Sequence, residues 1–427
     1  VDDVLADVDH TRQVGTAVAE SVSAATTALA EAERLVLGGD FAAAVTVLED
    51  VVDDDPTLPV LYLLASTTLE LGELDKSLHY ATRAVDTDPS SAPAHDALAK
   101  VYVAQEKYAL ALSELQAVAT LGREERLVAR PAQYSVPAHF ALHNVEQLEH
   151  ILGSNNGQQA AATGFADGLQ GLRHGLTDVI DGANGEAPWV SLNPINGHML
   201  ADPPYVTPAE ERLPAYLNPE VDYQAIQQAL TAGEQVQVID DFLTPDALTQ
   251  LRRFCLDSTV WRHPYPFGYV GAFPQHGFAS VSLFAIAEEF ASAMGESFAD
   301  FQLAAWWAFV YDTHLPGTDI HGDDADYSLN VWITPDSANL DKDSGGLVMW
   351  DKKAPSDWSY DDYNSGGEKV RAFLEEQKAE STVIPYRENR AVLFEGHLFH
   401  KTDEFTFAPG FENRRRSVTI LFRRRKG

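Results

Sequence analysis

Three stretches of this chain carry residue types that could do chemistry together: His321-Gly322-Asp323, a histidine near position 400, and Arg415-Arg416-Ser417. Two imidazoles and one carboxylate, brought together from separated strands, favour a non-haem Fe(II) centre with open coordination positions. A His and an Asp two residues apart at a strand end point the same way, so both can bind one ion. Taken alone the pair is weak, since with 14 histidines about one such spacing arises by accident. Its setting strengthens it: a strand-like run ends at Tyr311, a Pro316-Gly317 turn follows, and a second strand spans Ser328 to Thr334.

The second stretch, Ala391 to His400, is an apolar strand that stops, turns and presents a histidine, with His397 and His400 both candidates. In the third, period-two alternation puts Arg415, Ser417 and Thr419 on one face, and Val418, Ile420 and Phe422 on the other. An arginine turned into a barrel interior needs an anionic partner. Its planar fork holds a carboxylate at two points, which a lysine does less rigidly.

The elements that would position these residues begin near 233. Gln235 to Asp240 alternates like a half-buried strand, and Thr244-Pro245-Asp246 opens a helix running to about Leu256. Strand-like runs follow at 267–275, 303–313, 327–334, 345–350, 380–386, 390–395 and 416–423. Many short strands between Gly, Pro and Asp turns indicate a sandwich or barrel rather than a parallel α/β sheet. Trp306 and Trp307 precede the metal motif, one expected in the core and the other at a cleft or helix. A long polar insertion between Asp351 and Ser381 reads either as a lid or as a surface excursion.

Together, His321-x-Asp323, Phe394 to His400 and Arg415-x-Ser417 resemble the Fe(II)- and 2-oxoglutarate-dependent dioxygenases, in their prolyl-hydroxylase-like branch. Gly345-Gly346-Leu347 and the entry Val238-Ile239-Asp240-Asp241-Phe242-Leu243 match that branch too, and the resemblance covers roughly 233–424. It implies a double-stranded β-helix (jelly roll) with His321, Asp323 and His400 as iron ligands, which selects His400 over His397. It further implies that Arg415 binds the distal carboxylate of 2-oxoglutarate, supported by Ser417. Tyr311 stands where the branch can carry a co-substrate tyrosine, a packed barrel tyrosine being the equal alternative. Asn330 is a lesser candidate whose strand register is open. Fe(II), 2-oxoglutarate and O2 are the implied cofactors, with ascorbate as an accessory reductant. The carboxylate at 323 argues against halogenating variants, which lack it.

The N-terminal part is repetitive. Ala32, Ala65 and Ala99 recur at spacings of 33 and 34, and Phe41, Leu74 and Tyr108 recur with them. Gly39 and Gly72 precede the large residue by two, and Pro56 and Pro89 close the first two units. The pattern resembles tetratricopeptide repeats, in which each helix pair has an apolar face that only a neighbouring pair covers. It implies a surface for a protein or peptide partner. Residues 1–24 read as an alanine-rich helix or acidic lead-in. Beyond the repeats, 137–152 and 159–182 read as helices with a turn at Ser154-Asn155-Asn156-Gly157, and the run Asn193 to Gly197 with the Pro203-Pro204 pair marks a linker or extended entry segment.

The expected division is therefore 1–125 repeats, 126–232 helical connector and linker, and 233–427 oxygenase domain, a multidomain α+β chain. A formal charge of −34 argues against nucleic acid as partner, since an acidic surface repels phosphate. Cys255 is the only cysteine, which excludes an intrachain disulfide. No apolar run approaches the roughly 20 residues that span a bilayer, and no signal-peptide pattern opens the sequence, so no membrane association and a cytoplasmic location are expected. The basic run Arg423 to Lys426 reads as a solvated tail. The competing class is a repeat scaffold whose β-domain binds without catalysing.

Overall fold

The computed structural model describes residues 24–128, 133–154, 163–181, 188–201, 203–312 and 317–426. The expected lead-in helix at 1–23, most of the turn at 154–157, and Pro316 lie outside the described residues. The chain forms two compact units, Val1–Glu125 with Arg425–Gly427, and Arg126–Arg424.

The first unit is a stack of helical hairpins: α1 (Ala24–Leu37), α2 (Phe41–Val52), α3 (Leu58–Glu70), α4 (Leu74–Thr87), α5 (Ala92–Ala104) and α6 (Tyr108–Val128). Phe41, Leu74 and Tyr108 each open the second helix of a pair, and Ala32, Ala65 and Ala99 are buried where small residues let helices cross. Each hairpin turns through a left-handed residue, Gly39 (φ 78), Gly72 (φ 76) and then Glu106 (φ 57). The same two backbone hydrogen bonds close all three turns. In the third, for example, Glu106 N donates to Val103 O and Lys107 N to Tyr102 O. Glycine adopts that conformation without Cβ strain, so Glu106 holds the third turn against a local preference. Arg425 and Lys426, expected as a solvated tail, instead ion-pair with Glu106 and Glu70 in this unit.

The second unit opens with β1 (Tyr134–Pro137), α7 (Ala138–Ser154), α8 (Thr163–Asp181), β2 (Trp189–Leu192) and α9 (Pro194–Ala201). Two expectations fail here. The presumed linker after 193 is helical, because Asn193 Oδ1 accepts from Ile195 N and Asn196 N (3.0 and 2.9 Å) and Pro194 suits the first helical turn. Nor is 126–232 a piece apart from the β-rich region. Gln147 of α7 donates to the carbonyls of Leu256 and Ser258 (3.1 and 2.8 Å), and Glu146 pairs with Arg414 at 2.7 Å.

There follow α10 (Tyr223–Thr231), β3 (Val236–Ile239), α11 (Pro245–Asp257), β4 (Trp261–Tyr265), β5 (Tyr269–Ala272), α12 (Val281–Ala293), β6 (Phe301–Tyr311), β7 (Tyr327–Trp332), β8 (Leu347–Lys353), α13 (Tyr360–Asn364), α14 (Gly367–Glu376), β9 (Ser381–Ile384), β10 (Ala391–Glu395), β11 (Leu398–Thr402) and β12 (Arg416–Arg424). Thr244 caps α11, its hydroxyl accepting from Ala247 N at 3.2 Å. The strands from β3 on form a seven-stranded sheet, β3-β10-β7-β12-β6-β5-β4, and a three-stranded sheet, β11-β8-β9, that His321 extends by bridging to His400; from β9 to β12 the chain crosses between the two at each step. Every pairing between these strands is antiparallel. This is a double-stranded β-helix, with Trp332, Leu347, Met349, Val392, Phe394 and Leu398 filling its core. No described helix is long and apolar enough to cross a membrane.

Candidate metal centre and co-substrate cavity

His321, Asp323 and His400 come together at the edge of the smaller sheet. His321 N donates to His400 O and His400 N to His321 O, each at 2.9 Å, so the two backbones are clamped side by side. The imidazole centroids lie 4.3 Å apart. Asp323 N donates to Gly396 O at 2.7 Å, in the turn between β10 and β11, which fixes the carboxylate beside both rings. The Nε2 atoms of His321 and His400 stand 3.8 Å from Asp323 Oδ1 and Oδ2 respectively.

One ligand atom from each of the three residues lies within 4.8 Å of the others, and this is the one such group of three among the described residues. Three donors about 2.1 Å from a common ion and at right angles stand about 3.0 Å apart, so the side chains must draw in by roughly an ångström to share one.

The protonation pattern suits ligation. His321 Nδ1 meets Asp319 O at 2.7 Å and His400 Nδ1 meets Leu398 O at 2.9 Å. A carbonyl only accepts, so each Nδ1 carries the proton and each Nε2 keeps its lone pair toward the site. Burial, with His321 alongside, pulls His400 down to about 4, which keeps its ring neutral at pH 7. The Phe394 ring packs edge-on at 4.8 Å and supports it. His397, the competing candidate, lies against Tyr363 at 5.7 Å and is not among the cavity-lining residues.

Asp323 is 3% exposed, and Ser328 Oγ donates to its Oδ2 at 2.7 Å. Ser328→Ala is therefore expected to weaken divalent-metal binding by about 10- to 100-fold, the usual cost of losing a group that orients a ligand. Isothermal titration with Mn(II) measures it, and an unchanged Kd would show the hydroxyl to be idle.

A small cavity adjoins the three groups. All seven residues singled out from the sequence line it: His321, Asp323, His400, Arg415, Ser417, Tyr311 and Asn330. Arg415 is 1% exposed and lies over the Tyr311 ring at 4.5 Å. Its Nε and Nη2 donate to Gly345 O and Gly346 O at 2.7 and 3.1 Å, while its Nη1 is buried with no hydrogen-bond partner among the described residues. An orphaned guanidinium nitrogen at a cavity wall fits an absent anion.

The Gly345-Gly346 pair thus has a physical role, its carbonyls gripping the arginine stem. A Cβ on Gly346 would fall 1.9 Å from Ile384 O, so no larger residue fits. Asn330 does face inward; its Nδ2 donates to Thr419 Oγ1 at 2.8 Å and its Oδ1 is buried without a partner.

Sequence reasoning missed several groups. Thr318 and Thr402 share a short hydroxyl contact at the cavity wall, and Thr402 Oγ1 donates to Tyr311 OH at 3.4 Å. Thr402 was accessible by alternation from His400, whereas nothing local signals Thr318. Trp307 and Phe309 line the cavity, and Trp306 turns to the core, donating to Phe278 O at 2.6 Å.

The insertion after Asp351 is neither of the expected alternatives. Tyr363 O accepts from Gly322 N at 3.0 Å, Asn364 Nδ2 donates to Gly322 O at 3.2 Å, and Arg371 pairs with Asp319. Tyr363, Val370 and Leu374 pack with Ile320 and Phe399. No insertion residue lines the cavity; the segment buttresses the His-x-Asp loop from behind.

Fold and site together describe a jelly-roll domain with two histidines and a carboxylate at one cavity, joined to tetratricopeptide-like helical repeats. No protein-family profile matches the chain, and no curated protein matches it. Solved structures do. Over the C-terminal half they include a Pseudomonas putida prolyl-4-hydroxylase (16% identity, 49% of this chain and 98% of that chain, TM-score 0.28). They also include the non-heme alpha ketoglutarate dependent carbocyclase SnoK from nogalamycin biosynthesis (10% identity, 47% and 86%, TM-score 0.36). Over the N-terminal third, the TPR2B domain of yeast Sti1 matches at 18% identity, covering 36% and 98%, with a TM-score of 0.23. The functional reading below rests on the residue geometry.

Proposed function

We propose that the β-rich unit is an Fe(II)- and 2-oxoglutarate-dependent dioxygenase that hydroxylates a C–H bond of a protein, peptide or small-molecule substrate. One observation carries this reading: the three metal-ligating side chains and the orphaned Nη1 of Arg415 face the same cavity. A structural ion pair would not leave the guanidinium nitrogen buried without a partner among the described residues.

In this reading Nε2 of His321, Nε2 of His400 and the Asp323 carboxylate hold the metal. Arg415 grips the distal carboxylate of 2-oxoglutarate, and Ser417 and the Tyr311 hydroxyl border it. Asn330, with its Oδ1 free, orients whatever polar group reaches the opposite wall. When bound, the metal, the ketoacid and O2 supply the oxidising chemistry, with decarboxylation to succinate. The chain contributes placement and a site poor in water. For the helical unit we propose a protein or peptide partner, on the support of its repeat pattern.

The test incubates the full chain with Fe(II), ascorbate, O2 and 2-oxoglutarate and follows succinate by mass spectrometry. Wild type is expected to release succinate above a His321→Ala control, slowly without substrate and faster with it. Equal output from the two would sink the reading.

A further inference from the structure

The cavity wall does not end at the cavity. Along β6, Trp307, Phe309 and Tyr311 project to one face, and the pairing of β6 with β5 sets Tyr269 opposite Tyr311 and Gly271 opposite Phe309. Phe309 is the hub, its ring lying 5.0 Å from Tyr269, 5.6 Å from Tyr265, 6.2 Å from Phe273 and 6.4 Å from Trp307. Tyr265 and Tyr269 stack at 4.3 Å, and His276 extends the surface beyond Phe273 at 5.8 Å. Gly271 leaves the space that the Phe273 and Phe309 rings fill, at 2.6 and 3.2 Å from where a Cβ would stand. Trp307, Phe309, Phe273, His276 and Tyr265 are only half-buried. An aromatic sheet face therefore runs unbroken from the ligand triad outward.

We propose that this face is the substrate wall of the site, and that it takes an uncharged small molecule carrying an apolar ring system. The proposal rests on the oxygenase reading above and names its substrate class. Ring faces attract rings and C–H groups edge to face or offset, and Phe309, shared by cavity and wall, would direct such a molecule toward the triad. Charge argues the same way. Burial pushes the Tyr265 hydroxyl up to about 12 and that of Tyr269 higher, so both stay neutral. The Asp319 carboxylate is paired with Arg371, and in the reading above Arg415 is taken by the co-substrate. Trp307, Phe309, Phe273, Tyr265 and Tyr269 offer no positive charge, so an anionic substrate would be desolvated against them with no cation to meet it. A peptide would bring amide groups that need partners, and rings supply few.

Three probes separate the possibilities: 2-naphthalenemethanol, its anionic counterpart 2-naphthoate, and acetyl-hexaproline amide. Each is titrated into the full chain loaded with Mn(II) and 2-oxoglutarate, with ligand-observed saturation-transfer NMR for the probe and electron paramagnetic resonance for free Mn(II). The alcohol is expected to bind saturably, about 10-fold or more tighter than 2-naphthoate, whose carboxylate would be desolvated against uncharged rings. Phe273→Ala should weaken the alcohol about fivefold, and Phe273→Leu, which keeps the bulk, by a smaller factor, with Mn(II) affinity unchanged in both. Tighter binding of 2-naphthoate or of the peptide, no saturable binding of the alcohol, or indifference to both variants overturns the proposal. Failure of the oxygenase reading shows separately, as a wild-type chain that leaves Mn(II) free.

Discussion

Asp323→Ala is expected to raise the Kd for Mn(II), a stand-in that tolerates air, by more than about 100-fold. Removing a group that only orients a ligand costs about 10- to 100-fold, and Asp323 is the sole carboxylate of the three-residue set. Electron paramagnetic resonance of free Mn(II) reads the loss directly. The fold should survive, because the substitution removes a buried carboxylate with no lysine or arginine paired to it and leaves two imidazoles tied to backbone carbonyls. Near-ultraviolet circular dichroism should therefore match wild type. A variant that still binds Mn(II) within about fivefold of wild type would show the three groups to be a packing arrangement.

Arg415→Met tests the other half of the site. The variant should bind 2-oxoglutarate about 30- to 4,000-fold more weakly, since losing one partner of a buried charged contact costs about 2 to 5 kcal/mol. Its metal affinity should stay near wild type, because the guanidinium contacts no metal-ligating side chain. A stability cost is expected as well. Gly345 O would lose its side-chain donor, at about 1 to 3 kcal/mol for a carbonyl left buried and unpaired, whereas Gly346 O keeps Asp403 N at 3.2 Å. Competition by N-oxalylglycine against a labelled ketoacid measures the first effect and urea unfolding the second. Weak ketoacid binding by wild type and variant alike would place the anion site elsewhere.

How far the sequence discloses this architecture depends on the range of the signal. Alternation along β12 is local, so the shared face of Arg415, Ser417 and Thr419 was legible from spacing alone. The helical repeats were legible for the same reason, down to the residues that open each second helix. Even the third turn kept its register after Glu106 replaced the glycine, because length and apolar pattern held it there. What stayed hidden was set by pairing between distant segments. Leu398 to Thr402 reads as a turn, and its strand character comes from β8 across the sheet. Thr318 reaches the cavity only because it hydrogen-bonds Thr402, 84 residues away. The insertion looked like a lid or a surface excursion because its grip on Gly322 is made by the Tyr363 carbonyl and a single asparagine side chain, which leave no recognisable pattern in the sequence.

That grip couples two distant behaviours. Gly322 sits between His321 and Asp323, the proposed ligands, and its amide and carbonyl are both spoken for by α13. Fraying of the excursion and loosening of the ligand loop are then one equilibrium viewed from opposite ends. By reciprocity, an ion that firms the loop must also slow the opening of residues that never approach it. The excursion thus behaves as a remote gauge of whether the centre is filled.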